Sequence, residues 1–131
     1  MVSVYDDVLQ AVVALANATD PYATVTVGAL PADNGICMAW STGSLNTFFN
    51  KRAAVTMTAV LNAKNTSQQA ALDALSDIHT ALNMTTSYPS ADNYQITNIE
   101  TSGPPTYLSR EQNSQWLYGS SITVKFYLKG A

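Results

Sequence analysis

Few side chains in this chain are suited to catalysis or to metal binding. His79 is the only histidine and Cys37 the only cysteine among 131 residues, so no intrachain disulfide and no thiolate metal cluster can form. His79 lies at the edge of a predicted helical apolar stripe, which is typical of a hydrogen-bonded boundary residue. Cys37 lies between apolar neighbours, where a lone cysteine usually packs as a small hydrophobe. We therefore expect no catalytic centre and no cofactor.

The acidic residues give no stronger candidate for a metal site. Asp73 and Asp77 form the one predicted helical i, i+4 acidic pair, and Asp6 and Asp7 lie near the start of a first helix. Acids near a helix N-terminus interact favourably with the helix dipole, so both pairs are expected on solvated surfaces. The six glycines are scattered singly, which excludes a glycine-rich phosphate loop. The sequence predicts no metal site.

The composition favours a structural subunit over a nucleic-acid or membrane protein. Charged residues make up 11% of the chain, about half the usual share, so its surface loses little solvation energy when covered. The net charge of −3 argues against a dedicated nucleic-acid binder, and Lys51 with Arg52 is the nearest approach to a basic patch. No apolar run approaches the ~18 residues of a membrane span. Asp6 and Asp7 lie where a secretory signal needs basic residues.

The first part of the chain predicts a helix and two strands. Ser3 can cap a helix, which Asp20-Pro21 ends. The apolar face of that helix is formed by Val4, Val8, Val12 and Leu15. A β-branched run at 23–28 predicts a strand, and turn residues at 30–35 separate it from a second strand at 36–41. A loop is predicted over 42–50.

A strand and a capped helix follow as one module over 52–82. Side chains alternate over 54–61, which predicts a strand with one buried face. Thr66 to Gln69 forms a capping box, in which the Thr66 hydroxyl accepts from the Gln69 amide. The helix behind it has an apolar stripe formed by Ala71, Leu75, Ile78 and Leu82. The module predicts a sheet covered by a helix.

Two more strands complete the predicted fold. Residues 83–93 are polar and contain Pro89, so a loop is expected there, and 94–101 is a strand that Gly103-Pro104-Pro105 interrupts. The final strand alternates through Ile122, Val124, Phe126 and Leu128. The sequence predicts a single α+β domain over 1–131, in the order α-β-β-β-α-β-β, with a mixed, largely antiparallel sheet of about five strands packed by two main helices.

Aromatic and cationic residues in predicted loops are the best candidates for contacts. One loop carries Phe48, Phe49, Lys51 and Arg52. Around the polar turn 109–115 lie Tyr107, Arg110, Trp116 and Tyr118. Aromatic rings with arginine are typical of interface hot spots, and loops usually lie at the surface. For Trp116 and Tyr118 two interpretations stay open, an interface or a cover over the end of the sheet.

Taken in order, these segments resemble a family of small phage proteins. The resemblance rests on Trp40–Gly43 with its aromatic loop, on Val55–Leu61 leading to Gln69–Leu82, and on Pro105–Tyr118 running into the last strand. These segments are similar to the minor capsid or tail-terminator (tail-completion) proteins of long-tailed bacteriophages. The ordering of the segments carries more of the resemblance than any single motif.

The resemblance implies a structural role in the virion, at the tail or neck, after assembly in the host cytoplasm. Family members look like α/β subunits that form a ring, usually a hexamer. The ring caps the head-proximal end of the tail tube, stops its polymerisation and offers a surface to neck proteins. The implied partners are further copies of the chain, the major tail tube protein and the head-completion proteins, with DNA only as passing cargo.

Two rival hypotheses stay open on the sequence alone. One is a small-ligand binding module with a pocket lined by Trp40, Trp116 and tyrosines. The other is an enzyme centred on His79 with Asp77 or Glu111, which is the weakest of the three. A ring subunit acts through interfaces, and for it we expect contacts at the two aromatic loops named above.

Overall fold

The computed structural model describes residues 4–28, 30, 33–47, 53–111 and 114–128. The helices and strands in chain order are α1 (Val4–Asn17), β1 (Val25–Val27), β2 (Gly35–Thr47), β3 (Ala53–Asn65), α2 (Gln68–Asn83), β4 (Ser90–Ala91), β5 (Tyr94–Arg110) and β6 (Trp116–Leu128). The α+β class with two helices agrees with the prediction. The described strands number six rather than about five, because the short β4 forms within the segment predicted as a loop.

All six strands belong to one sheet with the order β1-β2-β3-β6-β5-β4. β1 is parallel to β2, and every other neighbouring pair is antiparallel. Ala53 pairs with Leu128 at one end of the central strands, and Asn65 pairs with Trp116 at the other. We call these the upper end and the lower end of the sheet.

Both helices cover the same face of the sheet, where the core lies. The alternation predicted for β3 is confirmed, since Val55, Ala59 and Leu61 are buried toward the helices. The α2 stripe is also confirmed, because Ala71, Leu75, Ile78 and Leu82 are all fully buried. Burying one large apolar side chain contributes about 1.5–3 kcal/mol, so this face supplies most of the stability. No helix in the described residues has the length and apolar character needed to cross a membrane.

β2 and β5 are longer than the sequence predicted, whereas β1 is shorter. β2 continues to Thr47, through residues predicted as a loop, because pairing with β3 satisfies its backbone groups without any apolar alternation. β5 runs through Gly103-Pro104-Pro105 to Arg110, with register shifts on either side of the prolines. A strand edge that faces no partner strand can hold prolines, because their missing N–H groups are not needed there.

The N-cap of α2 lies one residue after the predicted one. Ser67, not Thr66, has the extended cap conformation, and its hydroxyl accepts from the Ala70 amide at 3.2 Å. The Thr66 amide donates instead to Asn34 Oδ1 at 3.2 Å, which holds Thr66 outside the helix. Gln69 donates to Asp73 rather than back to the cap. Ser3, the predicted cap of α1, lies outside the described residues.

Candidate functional site

Pairing of β5 with β6 brings three predicted contact residues together at the lower end of the sheet. Arg110 is paired with Trp116, and Tyr107 with Tyr118. The Tyr107 ring centroid lies 6.0 Å from that of Trp116 and 5.9 Å from that of Tyr118. The Arg110 Cζ atom lies 5.2 Å from the centroid of the Trp116 ring. We call these four residues the aromatic cluster.

The aromatic cluster is exposed on one side and anchored on the other. Tyr107 is 49% exposed, whereas Tyr118 is only 6% exposed. The Tyr118 hydroxyl accepts a 2.7 Å hydrogen bond from Gln68 in the first turn of α2. Tyr118 therefore covers the end of the core, and Tyr107 and Arg110 present a surface to solvent. Trp116 lies between these roles, partly buried against the core and in contact with both exposed residues.

Contacts within the cluster hold its side chains in one arrangement. Tilted and edge-to-face aromatic pairs contribute about 0.5–1.5 kcal/mol each. A guanidinium over an exposed indole contributes about 0.5–1 kcal/mol. Side chains that are already ordered lose less conformational entropy on binding. The cluster is thus a preformed contact surface rather than a set of mobile surface residues.

A partly buried ion pair holds the chain beside the cluster, and sequence reasoning missed it. Lys64 on β3 is buried and forms an ion pair with Glu111, directly after β5. The Glu111 amide donates to the Gln115 carbonyl at 2.8 Å. Gln115 is 2% exposed, and its Oε1 accepts from the Asn34 amide at 2.9 Å. No spacing in the sequence relates Lys64 to Glu111, because their contact depends on the strand order.

Tyr22 adds a further contact at the lower end. Its hydroxyl oxygen lies 2.6 Å from the Lys64 carbonyl oxygen and 3.0 Å from the Gly35 carbonyl oxygen. Burial raises the pKa of Tyr22 to about 12. The neutral phenol therefore bridges the segment before β1 to the ends of β2 and β3.

The strands that flank the other predicted contact loop end at the opposite end of the sheet. Phe48, Phe49, Lys51 and Arg52 lie outside the described residues, but the flanking residues Thr47 and Ala53 are paired at the upper end. β3 has 13 residues between the two ends, which is about 40 Å of strand at 3.3 Å per residue. The ends of β2 and β3 that flank residues 48–52 therefore lie far from the aromatic cluster.

His79 is buried between α2 and the sheet, as a hydrogen-bonded residue. Its Nε2 lies 2.7 Å from Ser120 Oγ, and the Ser120 hydroxyl donates to the Leu61 carbonyl at 3.0 Å. Ser120 must then accept from Nε2–H, which leaves Nδ1 to accept from Thr101 Oγ1 at 2.8 Å. Asn83 completes the chain by donating to Thr101 Oγ1 at 2.8 Å. Burial lowers the pKa of His79, so the imidazole is held neutral.

These contacts give no support to an active site around His79. Its ring nitrogens bond to two hydroxyls rather than to a carboxylate, while Glu111 pairs with Lys64. Asp77 is exposed on α2, as is Asp73. Cys37 is buried as expected, and burial raises its pKa. Among the described residues, no three His, Cys, Asp or Glu side chains lie close enough together to hold a metal ion.

Trp40 and Trp116 lie at different places along the sheet, beside Ala59 and Asn65 respectively. The Trp40 indole donates to the Tyr5 carbonyl at 2.9 Å, and its ring stacks on Phe126 with centroids 6.5 Å apart. Trp40 thus fixes α1 on the sheet, whereas Trp116 lies at the lower end. The two tryptophans that the ligand-pocket hypothesis groups together thus have separate packing roles in the described structure.

No family model matches the chain, and no curated protein is similar to it in sequence.

Proposed function

We propose that the protein is a structural virion subunit of a long-tailed phage, a tail terminator or head–tail joining protein. Copies of the chain form a ring that caps the head-proximal end of the tail tube and docks to neck proteins. The observation that carries this proposal is the aromatic cluster, a preformed and exposed contact surface at the lower end of the sheet. The resemblance of the ordered sequence segments to that phage family supports the same function.

A ring needs two different contact surfaces on every subunit. Head-to-tail contacts close into a ring when the rotation between subunits returns to its start. Here the aromatic cluster lies at one end of the sheet, and the paired strand residues Thr47 and Ala53 lie at the other end. This separation suits contacts with different partners, such as a neighbouring copy, the tube protein and a neck protein.

The charge of the chain fits the same role. Only 11% of residues are charged, so covering the surface removes few charged groups from water. Removing charged groups from water is the most costly part of burying polar surface. The net charge of −3 gives the subunit no general attraction to the phosphates of DNA passing through a ring. DNA is then passing cargo rather than a ligand.

The direct test is the mass of the assembled protein. Light scattering and negative-stain images are recorded on the chain alone at high concentration, and with the major tail tube protein encoded in the same genome. We expect closed rings, usually hexamers, under at least one condition. Monomers alone under both conditions would contradict the proposal.

Substitutions in the aromatic cluster test which surface makes the contact. Tyr107→Ala and Arg110→Ala should each weaken assembly about tenfold or more, since hot-spot truncations cost more than about 1.4 kcal/mol. Tyr127→Ala is the matched control, because Tyr127 is 43% exposed but belongs to the upper end of β6. Assembly of Tyr107→Ala and Arg110→Ala that matches the wild type, with unchanged melting curves, would exclude the cluster as the contact.

A further inference from the structure

The upper edge of β2 is an unguarded strand edge. β1 pairs only with Ile36–Met38, so Ala39–Thr47 has β3 as its one strand neighbour among the described residues. That segment contains no Lys, Arg, Asp, Glu or Pro. Exposed strand edges in natural proteins usually carry charges or prolines that prevent pairing with another chain. An edge without these residues is suited to pair with a further strand.

The other edge strand of the sheet, β5, is covered in its upper part and has no second strand neighbour in its lower part among the described residues. β4 pairs with Tyr94 and Gln95, the Ile96 amide donates to the Pro89 carbonyl at 3.1 Å, and the Thr101 amide donates to Asn83 Oδ1 at 2.9 Å. Segment 83–91 therefore covers the upper part of β5. Below it lie Pro104 and Pro105, which block pairing, and then Thr106–Arg110, which have only β6 as a strand neighbour in the described chain.

The directions of the two edge strands are complementary. In the order β2-β3-β6-β5 every neighbouring pair is antiparallel, so β2 and β5 run in opposite directions. When a second copy is placed beside the first in the same orientation, its β2 is antiparallel to the first copy's β5. The contact thus extends the existing alternation of strands without inverting the subunit.

The covered halves of the two edges require the copies to be offset along the strands. β1 occupies the lower edge of β2, and segment 83–91 occupies the upper edge of β5. If the two copies lay at the same height along the strands (a level contact), β1 and segment 83–91 would be pressed against the edge strands of the neighbouring copy. If one copy is shifted along the strands (an offset contact), the upper part of its β2 lies against the lower part of the neighbour's β5. Strands in a closed sheet are tilted and staggered, so such an offset is compatible with a ring.

We propose that Ala39–Thr47 of one copy pairs as an antiparallel strand with Thr106–Arg110 of the next copy. This inference rests on the proposed ring and names the contact that closes it. The occupant of the unguarded edge is therefore a second copy of this chain. The tail tube and neck proteins are left to bind elsewhere on the subunit.

Disulfide crosslinking tests the contact in the full chain, with Cys37→Ala as the background. Ser41→Cys protein is mixed with Leu108→Cys protein and mildly oxidised, alone and with the tube protein. Ser41 and Leu108 are both exposed. We expect disulfide-linked dimers from the mixtures, at least about tenfold above a mixture of Thr26→Cys with Leu108→Cys. Thr26 is the matched control because it is exposed on β1, where only a level contact would bring it near Leu108.

Mass and crosslinking together separate the possible outcomes. Rings that crosslink through Ser41 support the inference, and so does crosslinking by Ala39→Cys if Ser41→Cys fails to fold. Rings that crosslink through neither position, or preferentially through Thr26, overturn the edge contact and leave the proposed function standing. Crosslinked open chains without rings uphold the edge contact and overturn the ring. Monomers without crosslinks under both conditions overturn both.

Discussion

Acid is expected to destabilise the protein through His79, and His79→Gln should remove that part of the pH dependence. The imidazole is 4% exposed, and its neutral form satisfies both hydroxyl partners, Ser120 and Thr101. A second proton on Nδ1 would face the Thr101 hydroxyl proton, which has no other acceptor in this chain of hydrogen bonds. Protonation therefore breaks a contact that joins α2 to β5.

The direction and the ceiling of the effect follow from the lowered pKa. Burial holds the pKa of folded His79 below its ordinary value of 6.5. At a pH between the folded pKa and 6.5, the unfolded chain therefore binds a proton at His79 that the folded chain does not. The contribution to stability is fully present above pH 6.5 and is lost as the pH falls toward the folded pKa. One group changes the free energy of unfolding by at most about 1.4 kcal/mol per pH unit. Between about pH 7.5 and about pH 5.5, the loss is therefore at most about 1.4 kcal/mol.

Urea unfolding followed by tryptophan fluorescence measures this loss. The free energy of unfolding is obtained at about pH 7.5 and about pH 5.5 for the wild type and for His79→Gln. Carboxylates titrate in both proteins, so the difference between the two pH dependences isolates His79. Thr80→Ala, an exposed and non-titratable change on the same helix, is the control and should follow the wild type. The reasoning is refuted if His79→Gln loses as much stability on acidification as the wild type does.

Three further predictions concern the helix cap and the contacts of the lower end. Ser67→Ala should lower the free energy of unfolding by about 1 kcal/mol and Thr66→Ala by much less, in urea; equal losses would place the cap elsewhere. Lys64→Met leaves Glu111 without its cation and should cost about 1–2 kcal/mol, below the range for fully buried pairs because Glu111 is partly exposed. Adding Glu111→Gln should then cost less than in the wild type, and strict additivity would contradict the ion pair. The difference in ultraviolet absorbance between the wild type and Tyr22→Phe should show one phenol that ionises near pH 12 rather than near 10. The stability that the neutral Tyr22 phenol contributes is lost as the pH rises above about 10.

The parts of the fold that the sequence predicts are those in which one apolar face decides the structure. The α2 stripe is predicted because Leu75 and Ile78 recur at helical spacing and have a single surface to cover. The last strand is predicted because Ile122, Val124 and Phe126 alternate over a buried face, and all three are buried. In both cases a period in the sequence corresponds to a side of the element.

The parts that the sequence leaves open depend on residues far apart in the chain. The upper half of β2 has no alternation, and it becomes a strand because β3 provides partners for its backbone. The start of α2 moves to Ser67 because Asn34, on another loop, holds the Thr66 amide. The pair of Lys64 with Glu111 requires β6 to lie between β3 and β5. None of these contacts leaves a local pattern that a sequence can reveal.

Those same long-range contacts decide how good an interface the lower end can be. Tyr107 and Arg110 are exposed, and on a mobile strand end they would lose much of their freedom on binding. Here the Lys64–Glu111 pair holds the end of β5 on β3, and Gln115 holds the start of β6 at Asn34. The entropy of ordering this end is therefore lost during folding rather than during assembly. If the aromatic cluster is the contact surface, Glu111→Gln should weaken assembly more than it weakens folding, although Glu111 itself is not part of the cluster.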